Sequence, residues 1–195
     1  MAFKGHNRQG YCPLTITQNA DGTTTETPGT GKLTNHVVSF TGTKSSDSSD
    51  LWAGDAKELT ESAAEGTVQL VLSQLSLEDE AAFGGHSYSE SDGLVEKEDD
   101  EAPFLRYAAL GVGRRVNDES GKKETFFRVV KYGKIQMAPL DDKFQTRDKS
   151  IQWQTHSCQG TCYYNAAGMM RSKQDFSTFE AALADMKKFL NIPEA

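Results

Sequence analysis

Long apolar runs are missing from this sequence. No stretch approaches the roughly 20 consecutive apolar residues that a membrane-crossing helix needs, so no membrane association is expected. The first residues, Met1-Ala2-Phe3-Lys4-Gly5-His6, lack the apolar core of a signal peptide. The chain is therefore expected to be made, and to stay, in a cytoplasm. Cysteine is scarce. Three residues in 195 argue against a disulfide-stapled scaffold. Positive charge is in deficit, with 21 Lys and Arg against 28 Asp and Glu and a net charge of -7. Tight binding to a phosphate backbone, which needs a basic face, is disfavoured. Apolar residues make up only 36% and the mean hydropathy is -0.59, so much of the chain belongs in exposed loops, arms or wet interfaces. Also missing are GxSxG, GxxxxGK[ST], HExxH and CxxC. Gly111-Val112-Gly113 holds only two glycines of a dinucleotide fingerprint and leads to no helix. No catalytic residue, resident metal or cofactor is expected, and hence no enzymatic activity.

What is present is mostly strand pattern. Residues 10–17 read as a first strand, and Pro13 within it suggests an edge. Asn19-Ala20-Asp21-Gly22 is a turn signal, and a threonine-rich return strand follows it. Residues 32–41 recover strand character. Residues 66–75 alternate cleanly, with Val68, Leu70 and Leu72 on one face. Ser76 can cap a short helix whose Glu78, Asp79 and Glu80 suit the positive end of its dipole, and Gly84-Gly85 stops it. Residues 104–112 and 124–137 are further strands. In the second, alternation places Phe127, Val129 and Ile135 on one face and Phe126, Arg128, Val130 and Tyr132 on the other. Residues 150–163 read as a last long strand. Near the C-terminus the period changes. Ser177-Thr178-Phe179-Glu180 fits a capping box, and Phe179, Leu183, Met186 and Leu190 form one apolar helical stripe. That helix packs either on its own domain or, as an arm, on a neighbouring subunit.

Two polar segments interrupt the strands. Residues 42–54 are dominated by serine and aspartate and read as a long loop that cannot order alone. It ends in Leu51-Trp52, an isolated apolar pair, and Trp is favoured at interface centres. Residues 87–103 are an acidic connection. Charge is also segregated. Residues 78–101 hold ten acidic side chains and one basic, whereas residues 104–173 hold thirteen basic and six acidic. Complementary surfaces of this kind suit head-to-tail association as well as plain solvation. His156, Cys158 and Cys162 would point the same way from one strand. Alternate strand residues lie ~7 Å apart, too widely spaced for adjacent zinc ligands.

In the order of its pieces, the chain resembles the major tail proteins of long-tailed, non-contractile phages (siphophages) of Gram-positive hosts. The likeness spans residues 10–163. Asp21-Gly22 and Thr27-Pro28 follow the first strand, and Leu51-Trp52-Ala53-Gly54-Asp55 closes the polar loop. A Gly-initiated strand and short helix come next, then Asp92-Gly93-Leu94-Val95 with Glu101-Ala102-Pro103-Phe104. Phe127-Arg128-Val129-Val130-Lys131-Tyr132-Gly133-Lys134 leads to Asp148-Lys149-Ser150-Ile151-Gln152-Trp153-Gln154-Thr155. The C-terminal helix has no counterpart in that pattern.

The resemblance implies an α+β, mainly β fold: an antiparallel β-sandwich or open barrel of the tail-tube type, flanked by a short helix and followed by a C-terminal helix. Residues 1–165 would form the β-sandwich domain, with the 42–54 loop and the 87–103 connection, and residues 166–195 an arm and amphipathic helix. It further implies a structural virion protein. Copies of the chain would form rings, typically hexameric, stacked into a tube through which viral DNA passes without sequence-specific binding. Its other partners would be the tail terminator, distal tail and tape measure proteins. It would reside in the virion tail after assembly in the host cytoplasm. Leu51, Trp52, Asp55, Asp99, Asp100 and Glu101 are the candidate inter-subunit residues. The alternatives are an inner tube of a contractile tail or injection system, a monomeric ligand-binding β-barrel, and a metal protein or enzyme using His156, Cys158 and Cys162.

Overall fold

A computed structural model of the chain describes residues 2–34, 37–53, 56–116, 121–138 and 155–193, with the backbone alone for 2–7 and 45–65. In chain order the described elements are β1 (Ala2–Gln18), β2 (Thr24–Pro28), β3 (Lys32–Thr34), β4 (Val37–Ala53) and β5 (Ala56–Leu72). Helix α1 (Leu77–Gly84) follows, then β6 (Ser87–Ser89), β7 (Gly93–Val95), β8 (Phe104–Val116), β9 (Lys123–Met137), β10 (His156–Tyr163), β11 (Arg171–Phe176) and helix α2 (Phe179–Phe189). The fold is mainly β, with two helices among the described residues, as the strand and cap signals lead one to expect. Every strand pairing among the described residues is antiparallel.

Nine of the described strands make one sheet. Its path runs β2-β1-β8-β9-β10-β5-β4, with β3 added to β1 and β11 added to β9, while β6 and β7 form a separate small hairpin. The sheet is rolled. β4 stands four strands away from β8, about 19 Å at the usual ~4.8 Å spacing. Yet the Phe40 ring of β4 stacks on Tyr107 of β8 at 5.4 Å and meets Tyr132 of β9 edge-on at 5.8 Å. Only curling brings β4 back over β8 and β9. Gly42 lies where any Cβ would collide with the Tyr132 hydroxyl, so glycine permits that approach.

The two faces carry separate cores. Inside the roll, Tyr11, Val68, Leu70, Leu72, Leu105, Tyr107, Tyr132 and Ile135 pack together, and Phe83 of α1 joins them. On the other face Cys12, Ala108, Leu110 and Val129 are covered by Ala182, Met186 and Leu190 of the α2 segment. Thr178 caps α2 by accepting a hydrogen bond from the Ala181 amide. The stripe read from helical spacing therefore packs on the chain's own sheet.

Strict alternation misplaces one residue. Leu105 pairs with Ile135 but Tyr107 pairs with Tyr132, so Gly133 and Lys134 together oppose Arg106. This is a β-bulge, and it exchanges the faces beyond it. Val129 lies under α2, whereas Ile135 joins Val130 and Tyr132 inside the roll. At the same bulge β9 changes neighbour. Its residues 127–132 pair with β11 and 134–137 with β10.

Two further sequence expectations are corrected. Pro13 is not in an edge strand, since β1 lies between β8 and the strands β2 and β3. Pro13 pairs with Leu105 in the last step of the β1–β8 ladder, where a missing N–H costs least. Of the segment 42–54 expected as a loop, residues 42–53 are strand, for β4 runs through Ala53 and pairs with β5, and Gly54 lies outside the described residues. Its composition lacks apolar surface for a core, but a hairpin pairs the facing half of its backbone groups within itself and leaves the outward half to solvent. The 87–103 connection likewise contains the β6–β7 hairpin.

Candidate functional site

The β4–β5 hairpin is the most unusual element of the fold. β10 pairs with β5 only from Gly66 to Leu72. From Ser45↔Glu65 to Ala53↔Ala56 the hairpin is a two-stranded ribbon with no further strand on either side among the described pairings. At ~3.3 Å per residue the ribbon projects roughly 30 Å from the sheet. A two-stranded hairpin is marginal by itself in water, and its open edges can accept another strand. Leu51 and Trp52 lie near its end. Leu51 pairs with Leu59 and Trp52 with Lys57 across a register shift, which locally increases twist. Asp55 lies outside the described residues.

The other candidate residues sit elsewhere. Asp99, Asp100 and Glu101 precede β8, beside α1, and Glu101 O lies against Gly85. Gly85 ends α1 at φ 79°, a left-handed conformation that suits glycine. Asp99 and Glu101 are exposed, but Asp100 turns inward. It meets His86 Nδ1 at 3.1 Å and accepts a 2.9 Å hydrogen bond from the Lys97 amide. Those two bonds, the amide first, hold the Asp100 carboxyl below its usual range. Phe104 pairs with Gln136 at the C-terminal end of β9, whereas the ribbon extends toward the level of its N-terminal half. The two sets of candidate residues thus lie toward opposite ends of the strands and form no single site.

The acidic stretch also does internal work that sequence does not reveal. Asp79, on α1, accepts from the Tyr11 hydroxyl at 2.7 Å and from Ser76 at 2.8 Å, and Lys32 lies 3.0 Å away. Lys32 also reaches Glu78 at 2.6 Å. Burial alone would raise the Asp79 carboxyl, but Tyr11, Lys32 and Ser76 together hold it below its ordinary value. Burial, then the bond to Asp79, pushes the Tyr11 phenol well up. Tyr11 and Asp79 are 68 residues apart, so no local pattern signals this anchor.

Cys158 and Cys162 face the interior and are buried, whereas His156 at the strand end is exposed. Burial pushes both thiols up to about 11, which keeps them protonated near neutrality. No cluster of metal-ligating side chains occurs among the described residues.

Sequence reading also missed β11 and the charged face it builds. Arg128 of β9 makes a two-pronged contact with Asp175 of β11 at 2.5 and 2.7 Å. Beside it, Arg115 reaches Glu124 at 3.5 Å. Neither a protein-family model nor a curated protein matches the chain.

Proposed function

We propose that the chain is a self-assembling structural subunit, the major tail protein of a non-contractile phage tail. Copies join into rings, hexameric by the likeness to siphophage tail proteins, and the rings stack into a tube for DNA passage. The observation that carries this reading is the β4–β5 ribbon. It extends nine residue pairs beyond the sheet with no further strand beside it among the described residues, a form whose open edges suit pairing with another molecule. The net charge of -7 supports a conduit along which a DNA duplex slides rather than adheres. A monomeric ligand barrel is less well supported, because aromatic and aliphatic side chains fill the interior of the roll.

Negative-stain microscopy of the purified chain tests the proposal. Rings or tubes are expected. A strictly monomeric species at high concentration, with no polymer after long incubation, would overturn it.

A further inference from the structure

Three cations cluster on the face of the sheet that α2 covers, at the C-terminal end of that helix. Arg106 of β8 points to this face, between Leu105 and Tyr107, which point into the roll. Its Cζ lies 5.5 Å from the centre of the Phe189 ring, and Lys131 Nζ lies 5.6 Å from the same ring. Lys134, with Gly133, stands opposite Arg106 at the β9 bulge, and its Nζ lies 4.3 Å from the centre of the Phe104 ring. Two carboxylates serve this group. Asp185 meets Lys131 at 2.7 Å, and Glu26 is 3.8 Å from Lys134, beyond hydrogen-bond reach. Arg106 is the cation left over. No carboxylate among the described residues pairs with it, and its Nε is buried without an acceptor. The last carbonyls of α2 accept instead from amides of the same segment, Met186 from Leu190, Lys187 from Ile192 and Lys188 from Asn191. Cys12, opposite Arg106 on β1, feels the charge: burial raises its thiol, and the guanidinium works against that rise. A cation taken partly out of water is costly unless it is paired. Contact with the Phe189 ring engages the charge of Arg106 but none of its N–H donors, and those donors form the fork that grips an oxyanion.

We propose that Arg106 and Lys134 hold a small tetrahedral oxyanion of the phosphate class, between the end of α2 and the β9 bulge. Arg106 supplies a two-pronged contact, and Lys134 supplies a point charge from across the bulge. Donors that converge from two strands suit oxygens arranged in a tetrahedron better than the two coplanar oxygens of a carboxylate. The bound ion ties β8, β9 and α2 together where β9 changes its neighbour from β11 to β10. This site does not depend on the assembly reading.

The full chain, dilute and unassembled, is melted in sodium phosphate, sodium acetate and sodium chloride of equal ionic strength. At about ten times its dissociation constant, phosphate should raise the midpoint by about 3–6 °C over chloride. Arg106→Gln should abolish the rise and Lys134→Gln should reduce it. Lys173→Gln, on the opposite face of the sheet, should keep it. In the wild type, the Arg106 Nε–H resonance, followed by ¹⁵N NMR, should shift in step with added phosphate, a readout that needs no variant to fold. A rise that acetate or chloride matches overturns the proposal. So does a folded Arg106→Gln or Lys134→Gln that keeps the full rise, or an Arg106 resonance unmoved by saturating phosphate.

Discussion

Replacing Met186 by alanine separates two roles for the C-terminal helix. Met186 is fully buried and packs, with Ala182 and Leu190, on Cys12, Ala108, Leu110 and Val129 of the chain's own sheet. Truncating a buried methionine removes its transfer free energy and leaves a cavity, together about 2–5 kcal/mol. The helix lies on the outside of the sheet and can settle partly into the gap, so about 3 kcal/mol is a reasonable centre. For a chain of this size each kcal/mol moves the melting temperature by about 2–4 °C, giving a fall of roughly 6–12 °C. The assay is thermal unfolding of the dilute, unassembled subunit, with assembly measured in parallel. Lys188→Ala, at an exposed position of the same helix, is the control and should change stability by only about 0.5 kcal/mol. If Met186→Ala melts like the wild type but fails to assemble, the helix belongs on a neighbouring subunit and the packing argument is wrong.

Other predictions follow from the anchor and the candidate interface. Asp79 has a depressed carboxyl in the fold. Its stabilisation is therefore present above the unfolded value near pH 4 and lost as pH falls through the lower folded value. Asp79→Asn should flatten that acid limb in pH-dependent urea melts, and an unchanged limb would remove Asp79 from the account. Tyr11, raised in the fold, should cost stability on the other side, as pH rises above about 10 and the unfolded chain ionises first. Trp52→Ala should weaken polymerisation more than it lowers the subunit melting temperature, and the reverse ranking would return Trp52 to the subunit core. Assembly should slow as salt rises, because exposed pairs contribute only about 0–1 kcal/mol each and are screened. Reversing Asp99, Asp100 and Glu101 to lysine should also slow it. A rate indifferent to both changes would leave that stretch a solvated surface.

Local pattern was enough for much of this molecule. The face of Val68, Leu70 and Leu72, the α1 cap at Ser76 with its stop at Gly84-Gly85, and the α2 stripe are all set by neighbours within a few residues. Alternation, capping and the helical period report such interactions directly. The β4–β5 ribbon was misread because serine and aspartate there signal poor burial, and a self-paired hairpin needs little burial to satisfy its backbone. The Gly133 bulge, which moves Ile135 across the sheet, depends on how β8 and β9 align, and strand alternation carries no record of its partner's register. The same holds for the anchor of Tyr11, Lys32 and Asp79, and for the Arg128–Asp175 contact that joins β11 to β9. Their members lie tens of residues apart and meet only through long-range strand pairing and packing. Hydrogen bonds and ion pairs act over a few ångströms, so the side chains able to form them are chosen by the path of the backbone through space.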